Sequence, residues 1–245
     1  MLISQIWRLI PFLEADGKLQ MAIDQWLLKQ HQSGYPPTLR FYTWKPTAIS
    51  LGYHQRKYSQ DWQNLIWKGE QIDLVRRPTG GRAVLHHGDL TYAVVASGLS
   101  GSRIEVYKII CEFLIQGWHN LGVELHYGIA GRGYINNPNC FGTATGADLV
   151  TVDGHKLIGS AQLRRGDAIL QHGSMRLKPD KELFKKVFGE DLFDGVRLEK
   201  DLEIERIITV LVDAARDCFG VEFEQKALSE DEWEEILGII KSQYD

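Results

Sequence analysis

The 245 residues suffice for one large domain, or for a domain with a small appendage. With 44% hydrophobic and 24% charged residues the chain is globular in composition and disorder is not expected. A formal charge of −4, from 28 Lys and Arg against 32 Asp and Glu, supplies no general drive toward nucleic acid or anionic lipid. No apolar run reaches the roughly 18 to 20 residues of a membrane span, and Met1–Glu14 lacks the basic start, long apolar core and small-residue cleavage site of a signal peptide. The cytosol is therefore the expected compartment, with neither membrane nor nucleic acid as a partner.

A first helix is expected over Leu19–Gln30, where Leu19, Ala22, Ile23, Trp26 and Leu27 recur at helical spacing and Pro36-Pro37 closes the segment. Runs rich in β-branched and aromatic residues follow at Thr38–Trp44, Thr47–Tyr53, Ile72–Arg76, Ala83–His86 and Leu90–Ala96, and these read as strands. Helical periodicity resumes over Ser102–Leu121, with Gly122 as its stop. Asp148–Val152, Lys156–Leu163 and Ala168–Met175 form a three-stranded meander turned at Asp153-Gly154 and Arg165-Gly166, the first being a strong hairpin signal. Beyond Pro179 the chain becomes charged and helical, near Asp180–Phe188, Leu202–Cys218 and Glu230–Gln243, the last opened by the capping box Ser229-x-x-Glu232. This order indicates α+β, with a boundary at Pro179: residues 1–178 as the main domain and 179–245 as a helical extension packed on it.

Four features could carry chemistry. The turn Arg76-Arg77-Pro78-Thr79-Gly80-Gly81-Arg82-Ala83, followed by His86-His87, joins paired glycines to three arginines. Glycines let a ligand approach the backbone and arginines suit an anion, although a plain hairpin with a solvated basic rim has the same composition. Cys140 sits in a loop rich in Gly, Asn and Thr, so it is the thiol expected to be accessible; Cys111 and Cys218 fall on apolar helix faces and read as core fillers. The three cysteines form no CxxC pair and no zinc spacing, so neither a disulfide framework nor a metal site is expected. Lys156, among apolar strand residues after a hairpin, points either inward as a functional group or outward to solvent. In Gln171-His172-Gly173-Ser174 a Ser/His pair is conceivable, but adjacent strand residues face opposite ways and the segment is read as structural, its glycine allowing close approach to a ligand. No GxxxxGK[ST], GxGxxG, HExxH or GxSxG motif is present.

Four motifs in order, spanning about Trp7 to Leu177, resemble the superfamily of lipoate-protein ligases, biotin ligases and octanoyltransferases. They are Leu39-Arg40-Phe41-Tyr42-x-Trp44 with Ser50-Leu51-Gly52-Tyr53-x-Gln55; the Arg76–Tyr92 segment; Gly154-x-Lys156-x-x-Gly159-Ser160-Ala161-Gln162; and Ile169-Leu170-Gln171-His172-Gly173-Ser174. The resemblance is nearest to the cysteine-dependent octanoyltransferases. Ligases of this superfamily usually carry a third glycine where this chain has Arg82, which should crowd an acyl-adenylate, and Gly-Asn where it has Leu90-Thr91. Asn139-Cys140-Phe141 matches the position of the transferase nucleophile. The roughly 65 residues after Pro179 leave no room for the large accessory domain of single-chain ligases. The superfamily often places Asp after the loop histidine, where this chain has His87, with Asp89 close by.

The resemblance implies a lipoate-ligase-type catalytic domain of largely antiparallel sheets and an octanoyltransferase of lipoate biosynthesis. Cys140 and Lys156 would be catalytic. Arg77, Thr79, Gly80, Gly81, Arg82, Ala83, His86, Gly159, Ser160, Ala161, Gln162, His172 and Gly173 would bind substrate. The implied donor is octanoyl-acyl carrier protein, and the acceptor a lipoyl-domain protein such as the glycine cleavage H protein. Arg164 and Arg165 are candidates for docking them. No cofactor or metal is implied, and a monomer is expected. An amidotransferase acting between lipoyl proteins would share every one of these residues. An ATP-dependent lipoate ligase with a separate accessory domain is a further alternative. A silent binding protein is disfavoured because both Cys140 and Lys156 are present.

Overall fold

A computed structural model describes residues 5–128, 147–189 and 202–244. The elements in chain order are β1 (Gln5–Ala15), α1 (Gly17–Gln32), β2 (Thr38–Trp44), β3 (Ala48–Leu51), a 3-10 turn (Gln60–Asn64), β4 (Ile66–Trp67), β5 (Glu70–Gln71), β6 (Asp73–Arg76), β7 (Val84–His86), β8 (Asp89–Ala96), α2 (Arg103–Asn120), β9 (Leu125–Tyr127), β10 (Leu149–Thr151), β11 (Lys156–Arg165), β12 (Ala168–Arg176), α3 (Lys181–Phe188), α4 (Ile204–Phe219), β13 (Val221–Gln225) and α5 (Glu230–Tyr244). The chain is α+β. Eight strands form one sheet in the order β13-β1-β2-β8-β12-β11-β10-β9, parallel only where β1 meets β13 and β2; β6-β3-β7 form a second, small sheet.

Every residue of β2 and β8 is buried, because both faces of the large sheet are covered. Leu39, Phe41, Tyr92 and Val94 point to one side, where α2 and α4 lie. Tyr42, Ala93 and Val95 alternate to the other, where α1 and α5 pack through Ile23, Trp26 and Ile236. The meander is present as β10-β11-β12, turned at Gly154 (φ 78°) and Gly166 (φ 61°). The capping box at Ser229 also forms: the Ser229 N–H donates to Glu232 Oε2 at 2.8 Å, and the Glu232 N–H donates to Ser229 Oγ at 3.3 Å.

Five strands were not anticipated from sequence: the two-residue pair β4 and β5, and β1, β9 and β13. β1 contains Pro11, which cannot donate to a ladder; the strand shifts register between Ile10 and Leu13 and so absorbs it. β9 is only three residues long. β13 lies in the region expected to be wholly helical and adds an edge strand beside β1. Its neighbour α4 corrects one further expectation: burial along that helix stops at Ala215, so Cys218 in the last turn is exposed instead of filling the core. Among the described residues no helix is long and apolar enough to cross a membrane.

Candidate active site

Between the two sheets, beneath the turn that follows β6, lies a cavity of about 110 Å³, far more than the roughly 10 to 15 Å³ one water requires. Its apolar surface comes from Met21 on α1, Tyr42 and Trp44 on β2, and Val84 on β7. Its polar surface comes from two buried histidines, Lys156 and the turn itself.

Each histidine is held by its own carboxylate. His86 Nδ1 donates to Asp89 Oδ2 at 2.8 Å, and its Nε2 shares a hydrogen bond with Ser50 Oγ at 2.9 Å. Ser174 and Thr91 also donate to that carboxylate oxygen, at 2.6 and 3.2 Å. Burial lowers the pKa of His86 from its ordinary value, against the opposing pull of Asp89, so the ring is neutral at pH 7. Trp44 stacks on it with centroids 3.8 Å apart, which fixes the plane of the ring. The second histidine, His172, donates from Nδ1 to Asp24 Oδ2 at 2.7 Å and shares a hydrogen bond with Thr79 Oγ1 at 2.6 Å. Asp24 also accepts from the Tyr42 hydroxyl at 3.1 Å and pairs with Arg40 at 3.4 Å. Burial and the Asp24 carboxylate push Tyr42 well above its ordinary pKa, which keeps it a donor. The Thr79–His172 bond ties the turn to β12.

Arg77 braces the turn from inside. Its guanidinium donates to the carbonyls of Ser50, Gly80 and Arg82 at 2.8, 2.8 and 2.7 Å. Gly81 has φ 97°, a backbone that L side chains rarely adopt, and a Cβ at the neighbouring Gly52 would fall on the Gly81 carbonyl. The two glycines thus let two loops touch backbone to backbone.

Lys156 points inward. It is 5% exposed, lines the cavity, and its Nζ lies 2.8 Å from Asp148 Oδ1. Cys140 lies outside the described residues; Ala147 and Asp148, which follow that segment, both line the cavity. Cys111 is a core residue whose thiol burial pushes up to about 12, so it stays protonated.

The structure brings together Arg77, Gly81, His86, Lys156, Gly159, Ser160, Ala161, His172 and Gly173 on the cavity wall. Thr79 is buried behind His172, Gly80 and Gln162 face an outer groove, and Ala83 packs in the core under the small sheet. Arg82 lines neither space. The expectation that His172 and Ser174 face opposite ways is corrected: they are two positions apart on β12, so both face the cavity, each on its own carboxylate. Gly173 between them lines the cavity and also admits the neighbouring strand, since a Cβ there would meet Gly159 O at 2.8 Å. Sequence reasoning missed Asp24 and Asp148. The first looks like an ordinary helical polar residue, and its only signal is its place within the apolar stripe of α1. Asp89 stands where the missing carboxylate beside His87 was sought, and it serves His86.

The model of the lipoyl protein ligase A/B catalytic domain matches residues 16–201. The chain belongs to that family. A LipM octanoyltransferase of Lysinibacillus sphaericus is 32% identical over 97% of this chain and 96% of its own length, and one of Kyrpidia tusciae is 41% identical over 92% and 85%. Within the lipoyl protein ligase A/B family, the chain belongs with these octanoyltransferases. In fold it is similar to a lipoate-protein ligase A bound with ATP (TM-score 0.80, 24% identity, 98% of this chain and 96% of that one). It also resembles the bipartite lipoate protein ligase of Thermoplasma acidophilum (TM-score 0.77, 23% identity, 98% and 94%).

Proposed function

We propose that this octanoyltransferase of lipoate biosynthesis takes octanoyl from acyl carrier protein and delivers it to a lysine of a lipoyl-domain protein such as the glycine cleavage H protein, through a thioester on Cys140. The observation that carries the reading is a cavity with an apolar side and, among the described residues, one buried ammonium, Lys156, on its wall. The apolar side suits eight carbons, at about 0.8 kcal/mol per buried CH₂. In the first half-reaction the Cys140 thiolate attacks the donor carbonyl, the donor carbon–sulfur bond breaks, and the carrier thiol leaves with a proton. In the second, the acceptor amine attacks octanoyl-Cys140, the carbon–nitrogen bond forms as the carbon–sulfur bond breaks, and the proton lost by the amine goes to the released cysteine sulfur. Lys156, held in place by Asp148, is the group that stabilises the developing oxyanion and favours the thiolate. His86 and His172 give the cavity its fixed polar outline, and the turn from Arg77 to Gly81 forms its roof.

Incubation with octanoyl-acyl carrier protein followed by intact mass measurement tests this. One added octanoyl group is expected, removed by hydroxylamine and absent in Cys140→Ala. An adduct that survives that substitution, or none in the unaltered protein, would sink the reading.

A further inference from the structure

On the outer face of the Arg77–Gly80 turn a second depression, of about 770 Å³, is lined by five arginines: Arg76, Arg77, Arg103, Arg164 and Arg165. The rest of its wall is three glutamines, Tyr53, His54, Leu163 and the turn residues Pro78 and Gly80, with no carboxylate among the described residues. In a chain of net charge −4 this is a local inversion of sign. Arg76 and Arg77 are committed to backbone carbonyls of the turns they brace. Arg103, Arg164 and Arg165 have no carboxylate within ion-pair distance among the described residues. Arg164 donates from Nε to Gln162 Oε1 at 3.3 Å, yet its Nη2 is buried with no hydrogen-bond partner there. A guanidinium nitrogen that gives up water without gaining an acceptor is disfavoured, and an anion in the groove offsets that cost through the charge of the whole guanidinium rather than by a bond to the buried atom.

The groove is not remote from the chemistry. Arg77 lines both spaces, and Gln162 in the groove directly follows Gly159, Ser160 and Ala161 of the cavity wall on β11. We propose that the groove binds the phosphodiester of the donor's pantetheine arm, holding the carrier-borne thioester with its acyl end in the cavity. Guanidinium forks match phosphate oxygens in geometry and charge. The other substrate is a poor occupant, because its reacting group is a lysine, and an ammonium threaded among five guanidiniums is repelled. The inference rests on the octanoyl-transfer reading given above.

The test compares three donors, octanoyl-acyl carrier protein, octanoyl-4′-phosphopantetheine and octanoyl-pantetheine, on the wild type and on Arg103→Gln/Arg164→Gln/Arg165→Gln. The triple variant is expected to lose on the order of tenfold or more in kcat/KM with both phosphate-bearing donors and to stay within about twofold with octanoyl-pantetheine. Equal losses on all three donors, no loss on any, or a loss confined to the intact carrier protein would overturn the proposal. Calorimetric titration with 4′-phosphopantetheine and with pantetheine supplies a readout independent of turnover. Binding of the phosphorylated arm alone, weakened in the variant, supports the groove even if no donor reacts, in which case it is the transfer reading that fails. Equal binding of the two, or none, overturns the groove. Should the triple variant fail to fold, Arg103→Gln and Arg165→Gln, both at exposed positions, repeat the comparison.

Discussion

The turn from Arg77 to Gly81 separates two charged regions that are built in opposite ways. Inward, charges come in partnerships: Asp24 with Arg40 and His172, Asp89 with His86, Asp148 with Lys156, and Arg77 against three carbonyls. Outward, Arg103, Arg164 and Arg165 face an open groove without a described counter-charge. A buried ion pair costs too much desolvation to be a source of net stability, but it makes one arrangement much better than its neighbours and so fixes a shape. An unpaired arginine at a groove fixes nothing by itself and stays available. The inner region is thus read as architecture and the outer as a binding surface.

The contrast can be broken most sharply at Asp24. Asp24→Ala leaves Arg40 and His172 buried without their carboxylate and is expected to destabilise the fold by about 3 to 5 kcal/mol in urea unfolding; a loss below about 1 kcal/mol would mean that the inner pairs do not shape the site. Lys156→Met comes next, at about 1 to 3 kcal/mol, because Asp148 lines a cavity that water can enter. The double variant Lys156→Met/Asp148→Asn should recover most of that stability and none of the octanoyl transfer, and recovered transfer would remove Lys156 from the chemistry. A smaller effect is expected with pH. His86 is held below its ordinary pKa by burial, so below about pH 6.5 the unfolded chain binds a proton that the native state does not, and stability falls as pH falls. Urea midpoints at pH 7.5 and 5.5 should differ less in His86→Gln than in the wild type. The smallest effect belongs to the groove: Arg165→Gln should leave stability within about 0.5 kcal/mol, whatever it does to donor use.

Much of this is legible in the amino-acid sequence. The sequence pattern places the strand Thr38–Trp44 to the residue, Asp153-Gly154 marks the hairpin between β10 and β11, and Ser229 with Glu232 marks the start of α5, because each signal is local and acts within a few residues. What escaped was set by distant partners. Val221–Gln225 alternates Val, Phe and Gln with two glutamates, but five residues after a helix become a strand only because β1 offers an edge. Lys156 could face either way, since strand period alone does not say which face is inside; Asp148, across the hairpin, decides it. The groove is the least legible, because its arginines come from the end of β6 and the turn after it, the start of α2 and the end of β11, and only the fold makes them neighbours. The family motifs pointed to the residues that line the cavity, whereas Cys140, expected both from its polar loop and from those motifs, lies outside the described residues.

The Arg8–Glu232 pair has a temporal meaning as well as a static one. Its two bonds, both 2.8 Å, join residues 224 positions apart, next to the ladder in which Gln5 meets Val221. α5 in turn lies against α1, the helix that brings Met21 to the cavity wall and Asp24 behind His172, with the Trp26 indole donating to Glu235 at 2.8 Å. Closing so long a loop is entropically slow, and on the ribosome it waits until residues 221–235 have emerged. The helix that bears Asp24 therefore stays without its outer cover until residues 230–244 have been made, long after α1 itself has formed.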